Sequence, residues 1–286
     1  GARLHSISMT AEALIDGREH LPASAVIRLA GKATLDAGQQ LHAATLRVFD
    51  ESIEAAPGAI ELRVVGVVEG GGEVELPLSI PMRTMAGNEF LNVLQVHASL
   101  AAFIRPNSRA VTPVLRAASD LLEKKTGRPT LEGYKSGPER ATQIAAAIYE
   151  AIRAAEITYI NPPASFEFTG QKVRTTDQVL ADRFGTCIDL AVMYAACLEA
   201  SGLSPVIVLT RNHAFAGFTV RDAAEMIDGP SVISDPNLIA NLVDAGVVVP
   251  VELTGISPGS KVKFTDAVKL GRAYMRTDFD LVRSLI

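Results

Sequence analysis

Two different hydrophobic periods divide the chain near residue 95. Before this point, apolar and polar residues alternate, which is the period-two pattern of half-buried strands. The clearest alternating stretches are residues 44–49, 60–65 and 74–80. Turn-forming residues separate them at Pro57-Gly58 and Gly70-Gly71-Gly72. Several short strands at this spacing predict an antiparallel, immunoglobulin-like (Ig-like) β-sandwich over residues 1–95.

From residue 96 onward the apolar positions recur every three or four residues, as in amphipathic helices. The first predicted helix begins at Thr112-Pro113 and ends at Gly127. A second begins at Pro138. A third, short helix follows a cap at Thr175 or Thr176.

A fourth helix is predicted from about Cys187 to Ala200, stopping before Gly202. Strand candidates follow it at Pro205–Leu209, Ala214–Val220 and Val247–Leu253. Helices and strands in this order predict an α+β domain over residues 96–286.

Charge and hydropathy narrow the classes of partner. The net charge of −5 falls entirely within residues 1–95, and the remaining residues carry equal numbers of acidic and basic side chains. Neither part has the basic excess needed to bind a phosphate backbone, so we expect no direct nucleic-acid binding. No uncharged apolar run is long enough to cross a bilayer, so we also expect no membrane partner.

The two cysteines, Cys187 and Cys197, lie on one predicted helix about 15 Å apart along its axis, too far to form a disulfide. Reduced cysteines predict a cytoplasmic protein. Together with His213 they lack the ligand spacing of a structural zinc site, so we expect neither metal nor cofactor. The chain begins Gly1-Ala2 without Met, which predicts a piece of a longer protein.

The candidate chemistry centres on Cys187. Thr186 is a favourable N-cap, and Asp189 three residues later is typical of a capping box. Cys187 would then occupy the first helical position, where free N–H groups and the helix dipole favour a thiolate. Of five histidines only His213 follows it, at the start of a predicted strand, where an imidazole could serve as its acid–base partner. A lone helical cysteine is more often an inert small hydrophobe, the role expected of Cys197.

The segment Gly185-Thr186-Cys187-Ile188-Asp189-Leu190, followed by His213-Ala214-Phe215, resembles the core of the transglutaminase-like superfamily. The resemblance implies a papain-type Cys–His–Asp site. Its third residue usually lies in an acidic-Pro-Thr motif on the next strand. Here Glu252 takes the acidic place in Val251-Glu252-Leu253-Thr254, with leucine replacing proline. Asp235 before Pro236 is the alternative, although such a residue is more often a cap or turn.

The resemblance also implies a possible oxyanion donor at Gln171, whose alternative role is a loop amide bonding the backbone. Arg174 and Arg183 are expected to be surface or helix-end charges. Residues 159–174 are similar to transglutaminase-like domains near the N-terminus of large bacterial proteins with helicase and nuclease regions. That match covers roughly residues 95–270, and by it the sandwich would be an accessory module and other domains of the parent chain possible partners. The superfamily often has Trp after the histidine, whereas this chain has Phe215 and no Trp.

Two functions follow as hypotheses. The first is a cysteine-dependent amide-bond hydrolase or acyltransferase that acts on a protein or peptide through a thioester acyl-enzyme. Cys187 would be the nucleophile, His213 the general base and acid, and Glu252 or Asp235 the residue that orients the imidazole. Peptidase-like hydrolysis ranks first because it needs no site for a second substrate. The alternative is a non-catalytic recognition or scaffold module of a larger nucleic-acid-processing or defence protein.

Overall fold

The computed structural model of the protein forms two compact units, Gly1–Glu89 and Phe90–Ile286. The boundary predicted between residues 95 and 96 lies a few residues after this division between Glu89 and Phe90. The structure describes residues 4–15, 18–28, 56–68, 73–84, 86–90, 94–161, 170–210, 213–223, 232–277 and 282–285.

The first unit contains one antiparallel sheet of four long strands. They are β1 (Leu4–Ile15), β2 (Arg18–Arg28), β3 (Ala56–Val68) and β4 (Glu73–Thr84), in the order β2-β1-β3-β4. Alternate residues of β4 are exposed from Glu73 to Pro81, as the period-two pattern of this stretch predicts. The predicted strands at 60–65 and 74–80 lie in β3 and β4.

Other predictions for this unit have different outcomes. Pro57 and Gly58 are part of β3 instead of forming a turn. A proline is tolerated there because the pairing of β1 with β3 ends at Gly58, so Pro57 has no partner on that side of the strand. Residues 44–49 and 70–72 lie outside the described residues. An Ig-like sandwich requires two facing sheets, and the described part of this unit contains one sheet, so the sandwich is not shown although the mixed α+β class is.

The second unit contains the helices of the described chain. After the short strand β5 (Glu89–Phe90) and a 3₁₀ helix (Leu94–Phe103) come α1 (Val111–Thr126), α2 (Gly137–Arg153), β6 (Thr158–Tyr159), β7 (Gln171–Lys172), α3 (Thr176–Asp182), β8 (Phe184–Gly185) and α4 (Cys187–Ala200). The remaining elements are β9 (Pro205–Thr210), β10 (Ala214–Thr219), α5 (Pro236–Asp244), β11 (Val248–Val251), a 3₁₀ turn (Thr254–Ile256), α6 (Phe264–Thr277) and β12 (Val282–Leu285).

The helix α4 is the centre of this unit. Every residue from Cys187 to Leu198 is buried, so the helix is enclosed on all sides. A helix that is apolar around its whole circumference can only be stable inside a core. Buried side chains of α1, α2, β9 and β10 form one apolar cluster with it.

Beside α4 lies a four-stranded antiparallel sheet in the order β11-β10-β9-β12. Ile207, Ala216 and their neighbours on one face join the cluster around α4. Val208 and Phe215 on the other face join a second cluster formed with α5 and α6. Burial of both faces explains why β9 and β10 are almost continuously apolar in sequence.

Several helix boundaries were predicted correctly. Gly127 ends α1 in the left-handed conformation with φ of 70°. Thr175 caps α3, with its hydroxyl oxygen accepting a hydrogen bond of 3.3 Å from the Gln178 N–H. The Thr112 cap was wrong, because α1 begins one residue earlier and Thr112 is its second residue. The helices α5 and α6 and the strand β12 were not predicted.

Within the described ranges, no helix combines the length and apolar character needed to cross a bilayer.

Gly217 allows β10 to lie close to β11, and its replacement tests that packing. A Cβ there would lie 2.5 Å from the Val249 carbonyl oxygen and 3.1 Å from the Pro250 Cα, so the backbone would have to move. We expect Gly217→Ala to destabilise the second unit by about 2–3 kcal/mol. Chemical denaturation followed by circular dichroism at the helix band would report this, since all described helices lie in this unit.

The matched control is Gly246→Ala. A Cβ at this position meets open space, and only its φ of 72° opposes the substitution. The expected cost is about 1 kcal/mol. Equal effects of the two substitutions would contradict the steric explanation for Gly217.

Candidate active site

Cys187 is held at the start of α4 by the strand that precedes it. The parallel pairing of β6 with β8 is continued by hydrogen bonds of 2.8 Å from the Thr158 N–H to the Arg183 carbonyl and of 2.9 Å from the Ile160 N–H to the Gly185 carbonyl. The helical pattern begins with the Leu190 N–H, which donates to the Thr186 carbonyl at 3.0 Å. The N–H of Cys187 therefore has no partner within its own helix.

Asp189 is the buried charge at this helix start. Its carboxylate is fully buried and accepts hydrogen bonds from the Thr186 N–H at 2.9 Å and the Arg174 N–H at 2.7 Å. The Arg174 guanidinium completes an ion pair with it at 3.0 Å and lies over the Phe184 ring. Arg174 is thus a helix-end charge, as predicted. The predicted capping box is half formed, since the buried Thr186 hydroxyl has no hydrogen-bond partner among the described residues.

His213 directly precedes β10 and is fixed through its backbone. Its N–H donates to the Thr210 hydroxyl at 3.0 Å, and its carbonyl accepts from the Thr210 N–H at 2.8 Å. Its ring Nε2 lies 2.7 Å from Oε2 of Glu252. The Cys187 side chain lies close enough to the imidazole to contribute to raising its pKa. Because Nε2 contacts the carboxylate, Nδ1 is the nitrogen available to the sulfur.

Glu252 directly follows β11 and is almost completely buried, with 2% of its surface exposed. The antiparallel pairing of Val251 with Ala216 brings it to the end of the sheet where β10 begins. Its Oε1 accepts hydrogen bonds from the Thr254 N–H at 2.8 Å and the Thr254 hydroxyl at 2.7 Å. Both carboxylate oxygens are therefore bonded, which fixes the plane of the carboxylate against His213.

The electrostatics favour a charged imidazole. Burial lowers the pKa of His213, but hydrogen bonds and opposite charges from Cys187 and Glu252 outweigh it and raise the pKa to about 10. Burial raises the pKa of Glu252, but the hydrogen bonds and charge of His213, with the Thr254 contacts, hold it below its ordinary value. The arrangement is thus suited to an imidazolium at His213 paired with a carboxylate at Glu252.

Aromatic side chains surround these groups. The ring centroids of Tyr274 and Phe215 lie 5.1 Å and 5.9 Å from that of His213. Tyr159 lies near the sulfur: burial raises the pKa of its phenol, and the nearby Cys187 and Glu252 raise it further. Neither tyrosine was singled out from the sequence. Tyr159 belongs to the segment 159–174 that carries the family resemblance, without a role of its own there. No sequence pattern links Tyr274 to the histidine.

The other predicted site residues lie in different settings. Asp235 caps α5, accepting a 2.9 Å hydrogen bond from the Asn237 N–H, which is its commoner predicted role. Gln171 is buried on β7, three residues before Arg174, which is bonded to the first turn of α4. Burial of Cys197 raises the pKa of its thiol to about 12. The structure thus brings together Cys187, His213 and Glu252, and gives Asp235 a separate position.

A separate apolar groove of about 710 Å³ lies elsewhere, between α1, α2 and α3. It is lined largely by alanines and includes none of the predicted site residues. In the part of the chain that the structure describes, no group of three or more His, Cys, Asp or Glu side chains is arranged to hold a metal ion.

Comparisons with known proteins leave the family open. No protein-family model matches the chain, and no curated protein matches it. A solved structure of a "putative protease" from Parabacteroides distasonis ATCC 8503 has 17% sequence identity and a TM-score of 0.29 over 58% of this chain. The match spans 35% of that protein's length. A similarity this low carries no argument about function.

The protonation of His213 can be measured directly. We expect its imidazole to titrate near pH 10 in NMR spectra of histidine-labelled protein, with Glu252→Gln lowering that value. Because the folded pKa exceeds the unfolded value of about 6.5, the stability that this group contributes is complete below about pH 6.5. That contribution is lost as the pH rises through about 10. Titration of His213 near its ordinary pKa would contradict the pairing of a protonated imidazole with the Glu252 carboxylate.

Proposed function

We propose that this protein is a cysteine-dependent hydrolase that cleaves amide bonds of a protein or peptide through a thioester intermediate. The observation that carries the proposal is the position of His213, whose imidazole hydrogen-bonds the Glu252 carboxylate and interacts electrostatically with the Cys187 side chain. A nucleophile, a base within reach of it and a third group that orients the base form the arrangement required for acyl transfer.

In the first half of the reaction, the Cys187 thiolate attacks the carbonyl carbon of the amide and a C–S bond forms. The carbonyl π electrons move to oxygen, and the Cys187 N–H, which has no partner within α4, is the proposed first donor to that oxyanion. The buried Gln171 amide is the proposed second donor. The imidazolium of His213 then gives its proton to the departing nitrogen, the C–N bond breaks, and the amine leaves a thioester on Cys187.

In the second half, the neutral imidazole takes a proton from water while the water oxygen attacks the thioester carbonyl. The C–S bond breaks as the second tetrahedral intermediate collapses. This releases a carboxylic acid and restores the thiolate beside the imidazolium. Glu252 keeps one ring orientation through both halves because Thr254 fixes its other oxygen. Hydrolysis is proposed ahead of transfer to an amine because water needs no binding site of its own.

The activated nucleophile can be tested by alkylation. In a Cys197→Ala background, iodoacetamide should modify Cys187 rapidly well below pH 8. His213→Ala should slow the reaction at pH 7 by at least about tenfold, because the paired thiolate is lost. Mass spectrometry of the modified peptide against time and pH would measure both rates.

In the wild-type protein, which retains Cys197, this second thiol provides an internal comparison. It is fully buried and its thiol has a pKa of about 12, so it should stay unmodified while the protein is folded. A slow reaction at Cys187 that is indifferent to His213 would contradict the enzyme proposal. The non-catalytic recognition module would then become the better hypothesis.

Glu252 and Asp235 provide a matched pair of acidic residues. Glu252→Gln replaces the carboxylate that faces His213, so we expect alkylation of Cys187 at pH 7 to slow by about threefold to tenfold. Asp235→Asn preserves a good cap of α5, which is not one of the groups that face His213, and should leave the rate unchanged. Equal rates for the two variants would remove Glu252 from the proposed triad.

A further inference from the structure

The last long helix, α6, lies against the strand end that carries Glu252. Gly271 makes this approach possible: a Cβ there would lie 3.0 Å from the Pro250 carbonyl carbon and oxygen. One turn earlier, the Ala267 carbonyl accepts a hydrogen bond of 3.1 Å from the Glu252 N–H. The helix therefore fixes the backbone of the carboxylate residue directly.

One turn after Gly271, the same helix presents Tyr274 to the imidazole. The two ring centroids are 5.1 Å apart, with the ring planes inclined at 41°. Phe215 contacts both rings, at 5.9 Å from His213 and 6.2 Å from Tyr274, so the three rings form a closed group. The imidazole can turn away from the Cys187–Glu252 axis only by separating from these rings.

We propose that Tyr274 is a positioning residue of the active site, whose ring holds the His213 imidazole in line and stabilises its protonated form. This inference deepens the proposed function and rests on it. An aromatic face within about 6 Å of a cation attracts it, and more strongly where water is excluded. The side chain of His213 is 14% exposed, so most of the surrounding water is already removed.

The charged and titratable groups facing the imidazole come from different elements. Cys187 faces it from α4, Glu252 from the end of β11, and Tyr274 from α6, while Thr210 of β9 bonds its backbone. Both Cys187 and Glu252 raise the pKa of the imidazole. The contribution assigned to Tyr274 is that of its ring, so its ring and its hydroxyl must be separated experimentally.

The experiment measures two properties of each variant: the NMR titration of the His213 imidazole and the pH profile of Cys187 alkylation. Tyr274→Leu removes the ring, and we expect the imidazole pKa to fall by about half to one unit. Because the imidazole is then also held less firmly beside the sulfur, we expect alkylation at pH 6–7 to slow by about fivefold. Tyr274→Phe keeps the ring, so its imidazole pKa should stay close to that of wild type and its alkylation rate within about twofold.

Two further proteins separate this role from a structural one. Replacing Tyr274 with pentafluorophenylalanine keeps the ring shape but reverses its electrostatic face, so it should reproduce the effect of Tyr274→Leu in a folded protein even if the leucine variant unfolds. Leu270→Ala changes a 40% exposed side chain on the same helix and should alter neither measurement.

The inference is overturned if the ring-deficient and fluorinated proteins titrate as wild type does, or if Leu270→Ala has the same effect as they do. Because the imidazole titration does not require a reactive thiol, the two proposals can fail separately. An unreactive Cys187 with a Tyr274-dependent imidazole would remove the hydrolase proposal and leave the ring contact established. If Cys187 is reactive and depends on His213, but neither measurement changes in the Tyr274 variants, the hydrolase proposal stands and the role of Tyr274 is refuted.

Discussion

The burial of α4 from Cys187 to Leu198 is the constraint on which the second unit depends. A helix enclosed on every side must satisfy its polar groups within the protein, because water cannot reach them. Asp189 satisfies two backbone N–H groups at its start and is neutralised by Arg174, and further along the Tyr194 hydroxyl donates to the Ala145 carbonyl at 2.9 Å. The Cys187 N–H has no partner within its own helix, so the fold leaves a donor outside the helical pattern beside the sulfur.

Much of this site could be predicted because its signals are local. The Thr186 and Asp189 pair marks a helix start, the apolar period marks the helix, and only one histidine follows it. Glu252 was the preferred candidate from the sequence, with Asp235 as the alternative, but its distance from His213 depends on how β10 and β11 pair. Antiparallel pairing of Ala216 with Val251 places Glu252 beside the imidazole, and a helix cap accounts for Asp235.

The missed features share a physical cause, since each depends on contacts between distant segments. Arg174 could be recognised as a helix-end charge, but its ion pair with Asp189 needs β7 and α4 to meet. Tyr274 belongs to α6, whose start has no strong capping residue in the sequence, and its partner His213 lies about sixty residues earlier. In the first unit, local turn propensity at Pro57-Gly58 was overridden by pairing within a long sheet.

The position of α6 has a consequence for the life of the thiol before folding is complete. Synthesis delivers Cys187 first, then His213, and the residues that orient the imidazole only afterwards, from Glu252 to Tyr274. On a growing chain the cysteine is therefore an ordinary thiol for the time needed to add nearly ninety residues. Under the proposed mechanism, the nascent polypeptide carries no activated nucleophile until α6 docks.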